Sequence, residues 1–202
     1  MSQRTFRLAT VLVACLLLSA CSQSLTPPAA VVDGHRISQD ALRGEIDLAL
    51  TNPQAAQAAQ TDAGRQDLTR RVLLSMIRLQ IVQQYADTHH ITVGPSDVDQ
   101  ELQRFVTQAG GQASFDQQLK AQHLTMAQAR FIVARDVLFT KVQDAVALQR
   151  LGPASSDAQQ RGQVFTQWLQ QRLTTAAIEV NPRFGRLDTK QGAITPITST
   201  AG

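Results

Sequence analysis

The sequence predicts a mostly α-helical domain whose first and last segments are short β-strands paired with each other. Two observations carry this. Apolar residues recur at helical spacing over most of the chain, and a cap or a Gly/Pro break appears wherever the period breaks. Only Ala30-Val31-Val32 and Ala177-Ile178-Glu179-Val180 favour an extended chain, and they flank the periodic region at opposite ends. A lone strand leaves its backbone N–H and C=O groups unpaired, so each is the natural partner of the other.

The elements follow in order. Asp33-Gly34 is a strong turn signal, and Ile37 closes a short second arm. Ser38 caps a helix with Leu42, Ile46, Ala49 and Leu50 on one stripe. The Ala- and Gln-rich stretch from Asn52 to Gly64 fits either a weak helix or a loop. From Gln66 to Thr88, Leu68, Val72, Leu73, Met76, Leu79 and Val82 cover more than half the circumference, as in a central helix packed on several sides. It ends at His89-His90, ahead of Gly94-Pro95. Ser96 with Asp99 reads as a capping box for a helix of Val98, Leu102, Phe105 and Val106, which stops at Gly110-Gly111. Ser114 with Gln117 caps a short helix bearing Phe115 and Leu119. Thr125 with Gln128 opens a long helix to about Arg150, with Ala129, Ile132, Val133, Phe139, Val142 and Val146 inward. Gly152-Pro153 ends it, and Ala154-Ser155-Ser156 forms a hinge-like loop. A last helix carries Val164, Phe165, Trp168, Leu169 and Leu173. The folded domain therefore spans residues 30–188, and residues 189–202, which show no period, are expected to be disordered.

Residues 1–20 read as a signal peptide, with Arg4 and Arg7 ahead of an apolar run from Leu8 to Leu18 and then small residues. That run is shorter than the roughly 20 residues needed to cross a bilayer, so it is expected to be cleaved rather than to anchor. Leu18-Ser19-Ala20-Cys21 resembles the lipobox of bacterial lipoproteins, which implies that Cys21 carries the lipid (a diacylglycerol with palmitate-type acyl chains). More than one acyl chain makes membrane attachment stable. Residues 21–29, polar and proline-containing, read as a tether that lifts the domain off the membrane. With Cys15 in the leader and Cys21 acylated, no free thiol remains for disulfide, zinc or nucleophile chemistry.

The chain carries a net charge of +3; without Arg4 and Arg7, 17 basic residues face 16 acidic ones. Nucleic acid is thereby disfavoured as a partner, because phosphate neutralisation needs a concentrated basic surface. No nucleophile elbow, H-E-x-x-H helix, phosphate loop or dinucleotide fingerprint occurs, so neither an enzyme nor a cofactor is expected. His89 and His90 are adjacent and point apart on any regular element, which suits a helix end better than a metal chelate. His35 in a turn and His123 ahead of a cap read as exposed. The acidic residues Asp97, Asp99 and Glu101 are explained by helix-start electrostatics.

The opening AVVDGHRIS, the long helix followed by ITVGPSDVDQEL, and the closing QWLQQRLTTAAIEVNPRFGRLD together resemble the chaperone module of the SurA and PrsA family of extracytoplasmic folding factors. The resemblance implies a helical SurA N-terminal-like domain that binds unfolded or nascent exported polypeptides. Many members carry a parvulin-type prolyl isomerase domain before the last helix. Here Arg150 to Asp157 leaves only a short loop, whereas an inserted domain needs on the order of 100 residues, so isomerase activity is not implied. Adaptable apolar side chains, Met76, Phe105, Met126, Phe131 and Phe139, are candidates to line a groove for such clients, although each taken singly fits a packed core better. The expected function is a membrane-anchored chaperone or holdase of the cell envelope. A structural or adaptor lipoprotein with one envelope partner is the alternative.

Overall fold

The computed structural model describes residues 26–153 and 157–197. The expected signal peptide, the lipid-acceptor Cys21, most of the tether and the expected hinge-like loop at residues 154–156 lie outside the described residues, as do residues 198–202. Among the described residues the order is β1 (Ala30–Val32), β2 (His35–Ile37), α1 (Gln39–Ala49), α2 (Pro53–Ala58), α3 (Asp62–Thr88), α4 (Pro95–Gln108), α5 (Gln112–Ala121), α6 (Met126–Leu151), α7 (Ala158–Thr175), β3 (Ile178–Val180), a 3-10 turn (Pro182–Phe184), β4 (Arg186–Asp188) and β5 (Ala193–Thr195). No described helix is long and apolar enough to cross a membrane.

The first and last arms of the periodic region do pair. β1 is the centre of a three-stranded antiparallel sheet, with Val32 opposite both His35 on β2 and Ile178 on β3. Asp33 and Gly34 both have positive φ, 47° and 84°, the backbone a two-residue hairpin turn requires. Asp33 also clasps the far end of the chain. Its carboxylate accepts the Ala177 N–H at 2.8 Å and a guanidinium N–H of Arg172 at 3.3 Å. Asn181 does the same for the entry segment, donating from its side-chain amide to the Pro28 carbonyl. Pro27, whose carbonyl accepts from Gln39 at 2.7 Å, and the fully buried Ala29 therefore belong to the body. The stretch expected to be free tether through residue 29 is docked from residue 27 onward.

Capping explains where the helices begin, with three revisions. Thr125 and Gln128 form the expected capping box, each accepting the other's backbone N–H. α4, however, starts earlier than the Ser96/Asp99 reading placed it. Gly94 is the N-cap and the Asp97 carboxylate accepts its N–H at 2.7 Å, because Pro95 at the first helical position needs no partner for its missing N–H. α5 begins at Gln112 behind Gly111, whose φ of 115° only glycine adopts readily, so Ser114 lies inside the first turn. The Asn52–Gly64 stretch resolves into a separate short helix capped by the Asn52 side-chain Oδ1, followed by a new cap at Thr61. Gly64 is required there, since a Cβ would overlap the Ala58 carbonyl oxygen.

The expected disorder of residues 189–202 does not hold for its first part. β4 and β5 form an antiparallel hairpin, Leu187 opposite Ile194, and Ile194 is buried in the main core. Unlike β1 and β3, neither β4 (Arg-Leu-Asp) nor β5 (Ala-Ile-Thr) carries a Val- and Ile-rich run to mark it in sequence, and this pair is held by docking on α3.

Two cores result. The main one gathers Val32, Ile37, Leu42, Leu73, Ile77, Ile81, Val82, Val142, Val146, Trp168, Leu173 and Ile194 around α3. The second is small, Val98, Leu102, Phe115 and Val133, where α4 and α5 pack on the first half of α6. α6 belongs to both. The residues expected inward on it face two cores: Val133 and Val142 are nine residues apart, about two and a half turns, and so face opposite sides. The first half of α6 thus carries an arm on one side, and the second half joins the body on the other.

Candidate polypeptide-binding surfaces

The five candidate groove residues do not converge on one groove. Met76 and Phe139 pack against the main core, where Phe139 meets Phe165 edge-on at 6.2 Å. Phe105 packs in the arm core, with the Arg104 guanidinium 4.8 Å from its ring centre. Only Met126 and Phe131, both on α6, are substantially open, at 41% and 50% exposure. Five residues apart, they stand about 140° apart around the helix and make two separate apolar spots.

Phe131 occupies the more informative place. The Arg135 guanidinium lies 5.5 Å from its ring centre and also donates to the Glu45 carboxylate on α1 at 2.6 Å. One arginine therefore joins arm to body and covers one face of the phenyl ring, which places Phe131 on the side of α6 that faces the body. A cation over an aromatic face contributes on the order of 1 kcal/mol, enough to hold the ring's orientation without hiding it.

A polar cleft of about 740 Å³ runs between α4 and α6, lined by Asp97, Glu101, Arg104, Asp136, Val137 and Lys141. Lys141 donates to Asp97 at 2.7 Å and to the Thr92 carbonyl at 3.0 Å. The Lys141 hydrogen bond, with that of the Gly94 N–H, holds the Asp97 carboxyl below its ordinary range. Arg104 does the same for Glu101. Asp136 moves the other way, since burial and the nearby Glu101 charge outweigh Arg135 and push it up. Of these pairs only Lys141–Asp97 spans the cleft and braces α4 against α6, while Glu101 and Arg104 pair within α4.

A second, smaller cleft of about 410 Å³ lies at the start of α3, bounded by Arg65, Thr69, Arg70, the Pro182–Phe184 turn and Ile197. Sequence reasoning passed over this region because Phe184 and Ile197 stand outside any periodic segment. The Asn181-Pro182 pair was the available signal, since proline at the first position of a turn fixes how Phe184 is presented.

The histidines sit at element ends. His89 closes α3 and stacks on Tyr85 at 4.0 Å, His90 and His123 adopt positive φ, and His35 meets the Gln84 amide at 3.1 Å. Burial pushes the Tyr85 hydroxyl above its ordinary value, with Arg150 opposing it. Among the described residues no group of three or more His, Cys, Asp or Glu side chains is placed to hold a metal ion. The acceptor Cys21 lies outside the described residues.

Comparison with known families matches residues 5–143 to the family described as SurA-like N-terminal domain. No curated protein and no solved structure matches the chain.

Proposed function

Since the chain belongs to the SurA-like N-terminal domain family, a chaperone-related family, we propose that it is a holdase of the cell envelope, held on a membrane by lipid at Cys21, that binds unfolded exported polypeptides without isomerising their prolines. The observation that carries this reading is the arm. It stands off the body on half of one helix and leaves Phe131 half exposed in the angle between the two. An apolar side chain fixed in orientation yet open to water suits weak contact with unfolded segments, whose apolar residues gain by leaving water. The lack of isomerase activity is supported by the connection between α6, ending at Leu151, and α7, starting at Ala158, which is far shorter than the order of 100 residues a catalytic domain needs. The anchor is supported by the order of charge, apolar run and small residues ahead of Cys21.

Residues 22–202, which include every described residue, should suppress the aggregation of a chemically denatured client, and Phe131→Ser should weaken the effect. No suppression at several-fold excess rejects the reading. In-cell cross-linking from position 131 should give many products, whereas a single product would mark an adaptor with one partner. A peptide prolyl-isomerisation assay should show no rate above background.

A further inference from the structure

The chain as a whole is close to neutral, at +3, but its basic residues are not evenly spread. Two clefts of the body meet at Thr69, Arg183 and Phe184, one at the start of α3 and one beside α1. Together they are lined by four arginines, Arg43, Arg65, Arg70 and Arg183, and, among the described residues, by no acidic one. Arg43, Arg65 and Arg70 each have an exposed aspartate one turn earlier on the same helix, Asp40, Asp62 and Asp67. Solvated pairs of this kind contribute little, so the guanidinium forks are free to turn to a phosphate, which they match with two parallel hydrogen bonds. Arg183 pairs with no carboxylate among the described residues. It donates to the Gln39 side-chain oxygen at 2.9 Å and lies 5.0 Å from the Phe184 ring centre. Ile197 adds an exposed apolar side chain at the edge of the same face.

The tether is rooted on this face. The Gln39 amide that accepts from Arg183 donates to the Pro27 carbonyl at 2.7 Å. A single side-chain amide therefore separates the root from the arginine that both clefts share. Pro182, beside Arg183, also borders the small groove that holds Pro27 and Pro28, where Glu179 is the one acidic lining residue. From Cys21 to Pro27 is six residues, a reach of at most about 20 Å when fully extended. Exposed charges feel one another over roughly 10 Å at ordinary salt. A lipid on Cys21 thus keeps this face within easy approach of the headgroups and makes the contact intramolecular, at high effective concentration.

We propose that the face around Arg43, Arg65, Arg70 and Arg183 docks on the anionic phospholipid headgroups of the membrane that holds the tether. Docking there rests on the proposed anchor at Cys21, which selects a membrane from among phosphate-bearing partners. The arginines hold headgroup phosphates, each strengthening the attachment about fivefold, and Ile197 meets the boundary between headgroups and acyl chains. The domain is then seated on the bilayer in one orientation instead of turning freely on its tether.

The test uses residues 22–202, which carry no lipid, and sucrose-loaded vesicles that are pelleted by centrifugation. At low salt the protein should pellet with vesicles of equal parts phosphatidylglycerol and phosphatidylcholine, and stay in solution with phosphatidylcholine alone. Arg65→Gln with Arg183→Gln should lower the partition coefficient about thirtyfold, about fivefold for each arginine. Lys120→Gln with Arg130→Gln, which removes the same charge from the arm, should leave it nearly unchanged. Arg43→Gln with Arg65→Gln, both on exposed helix surface, replaces the first pair if circular dichroism shows that Arg183→Gln disturbs the fold. Equal loss from the face and arm pairs means attraction by net charge alone and overturns the proposal, as does equal binding to both kinds of vesicle. Displacement by inorganic phosphate at the same phosphate concentration marks a small-anion site and also overturns it. The anchor is read separately, from the mass of the Cys21 peptide after the full chain is expressed in bacteria and extracted from their membranes. Lipid on that peptide without vesicle binding rejects the docking face alone. Selective vesicle binding by a chain whose Cys21 is bare rejects the anchor and leaves the face standing.

Discussion

The body and the arm are built by the same helix in two different ways. In the body, Leu73, Ile77, Val82, Val142 and Val146 are wholly sealed from water, and α3 is enclosed by α1, α6, α7 and both sheets. In the arm, even the best-covered residues, Val98, Leu102, Phe115 and Val133, remain several per cent exposed, and only α4, α5 and half of α6 contribute. Polar pairs make up the difference: Lys141 with Asp97, Arg130 with Asp99, and Arg135 with Glu45. Pairs of this kind, exposed at Arg130–Asp99 and partly covered at the other two, contribute on the order of 1 kcal/mol each, so they orient the arm more than they stabilise it. The arm is thus the part that opens at low cost, and the body is the part whose loss unfolds the protein.

The largest expected effect lies in the body. Ile77→Ala removes a fully buried side chain and should cost about 2–5 kcal/mol, visible as a lowered midpoint of the whole urea transition. Leu102→Ala in the arm should cost less, about 2 kcal/mol. By native-state hydrogen exchange its loss should be confined to amides of α4, α5 and the first half of α6, with the body's midpoint unmoved. Joint loss of both regions in that experiment means the arm and body are one cooperative unit, and the contrast fails. Thr125→Ala, which breaks the cap of α6 at its arm end, should cost about 1 kcal/mol with the same confined exchange pattern.

Acidification gives the smallest effect and sharpens the contrast further. Asp97 and Glu101 have lowered pKa values when folded, so their contribution is present above the ordinary carboxylate range and is lost as pH falls through the folded values. Asp136 has a raised value, so it opposes folding as pH rises through the window between its ordinary and raised values, and that penalty is relieved on acidification. Asp97→Asn should therefore flatten the acid loss of arm protection. Asp136→Asn should raise arm protection at neutral pH and remove the part that improves with acid. Titration of hydrogen exchange between neutral pH and mildly acidic pH checks both, and changes appearing in the body instead of the arm would contradict the assignment.

Much of this plan was legible before folding. The β1–β3 pairing follows from where the two extended stretches lie, and Thr125 with Gln128 marks a helix start because both partners of the reciprocal bond are written three residues apart. The division into two cores was less visible, since the stripe on α6 changes sides between Val133 and Val142 and an inward-facing list hides a rotation. The caps at Gly94 and Gly111 have no side chain to announce them; backbone conformation and the Asp97 carboxylate set those starts instead. Candidate residues were harder still. Aromatic or methionine identity says nothing about cover, which is why Phe139 is half-buried at the core and Phe131 open although both lie on α6. The hold on the β4–β5 turn depends on Arg78 and Gln170 meeting main-chain oxygens 114 and 19 residues away, a relation no local pattern encodes.

The strand that opens the domain is also the one that must wait longest. Val32 pairs with Ile178, 146 residues later, and at about 5–20 residues per second of synthesis the interval is roughly 7 to 30 seconds. Throughout it the growing chain has a central sheet strand with one free edge, so the sheet is completed only after nearly all the helices have been made. A ribosome that stalls just short of residue 178 leaves a product with its helices in hand and its seam undone.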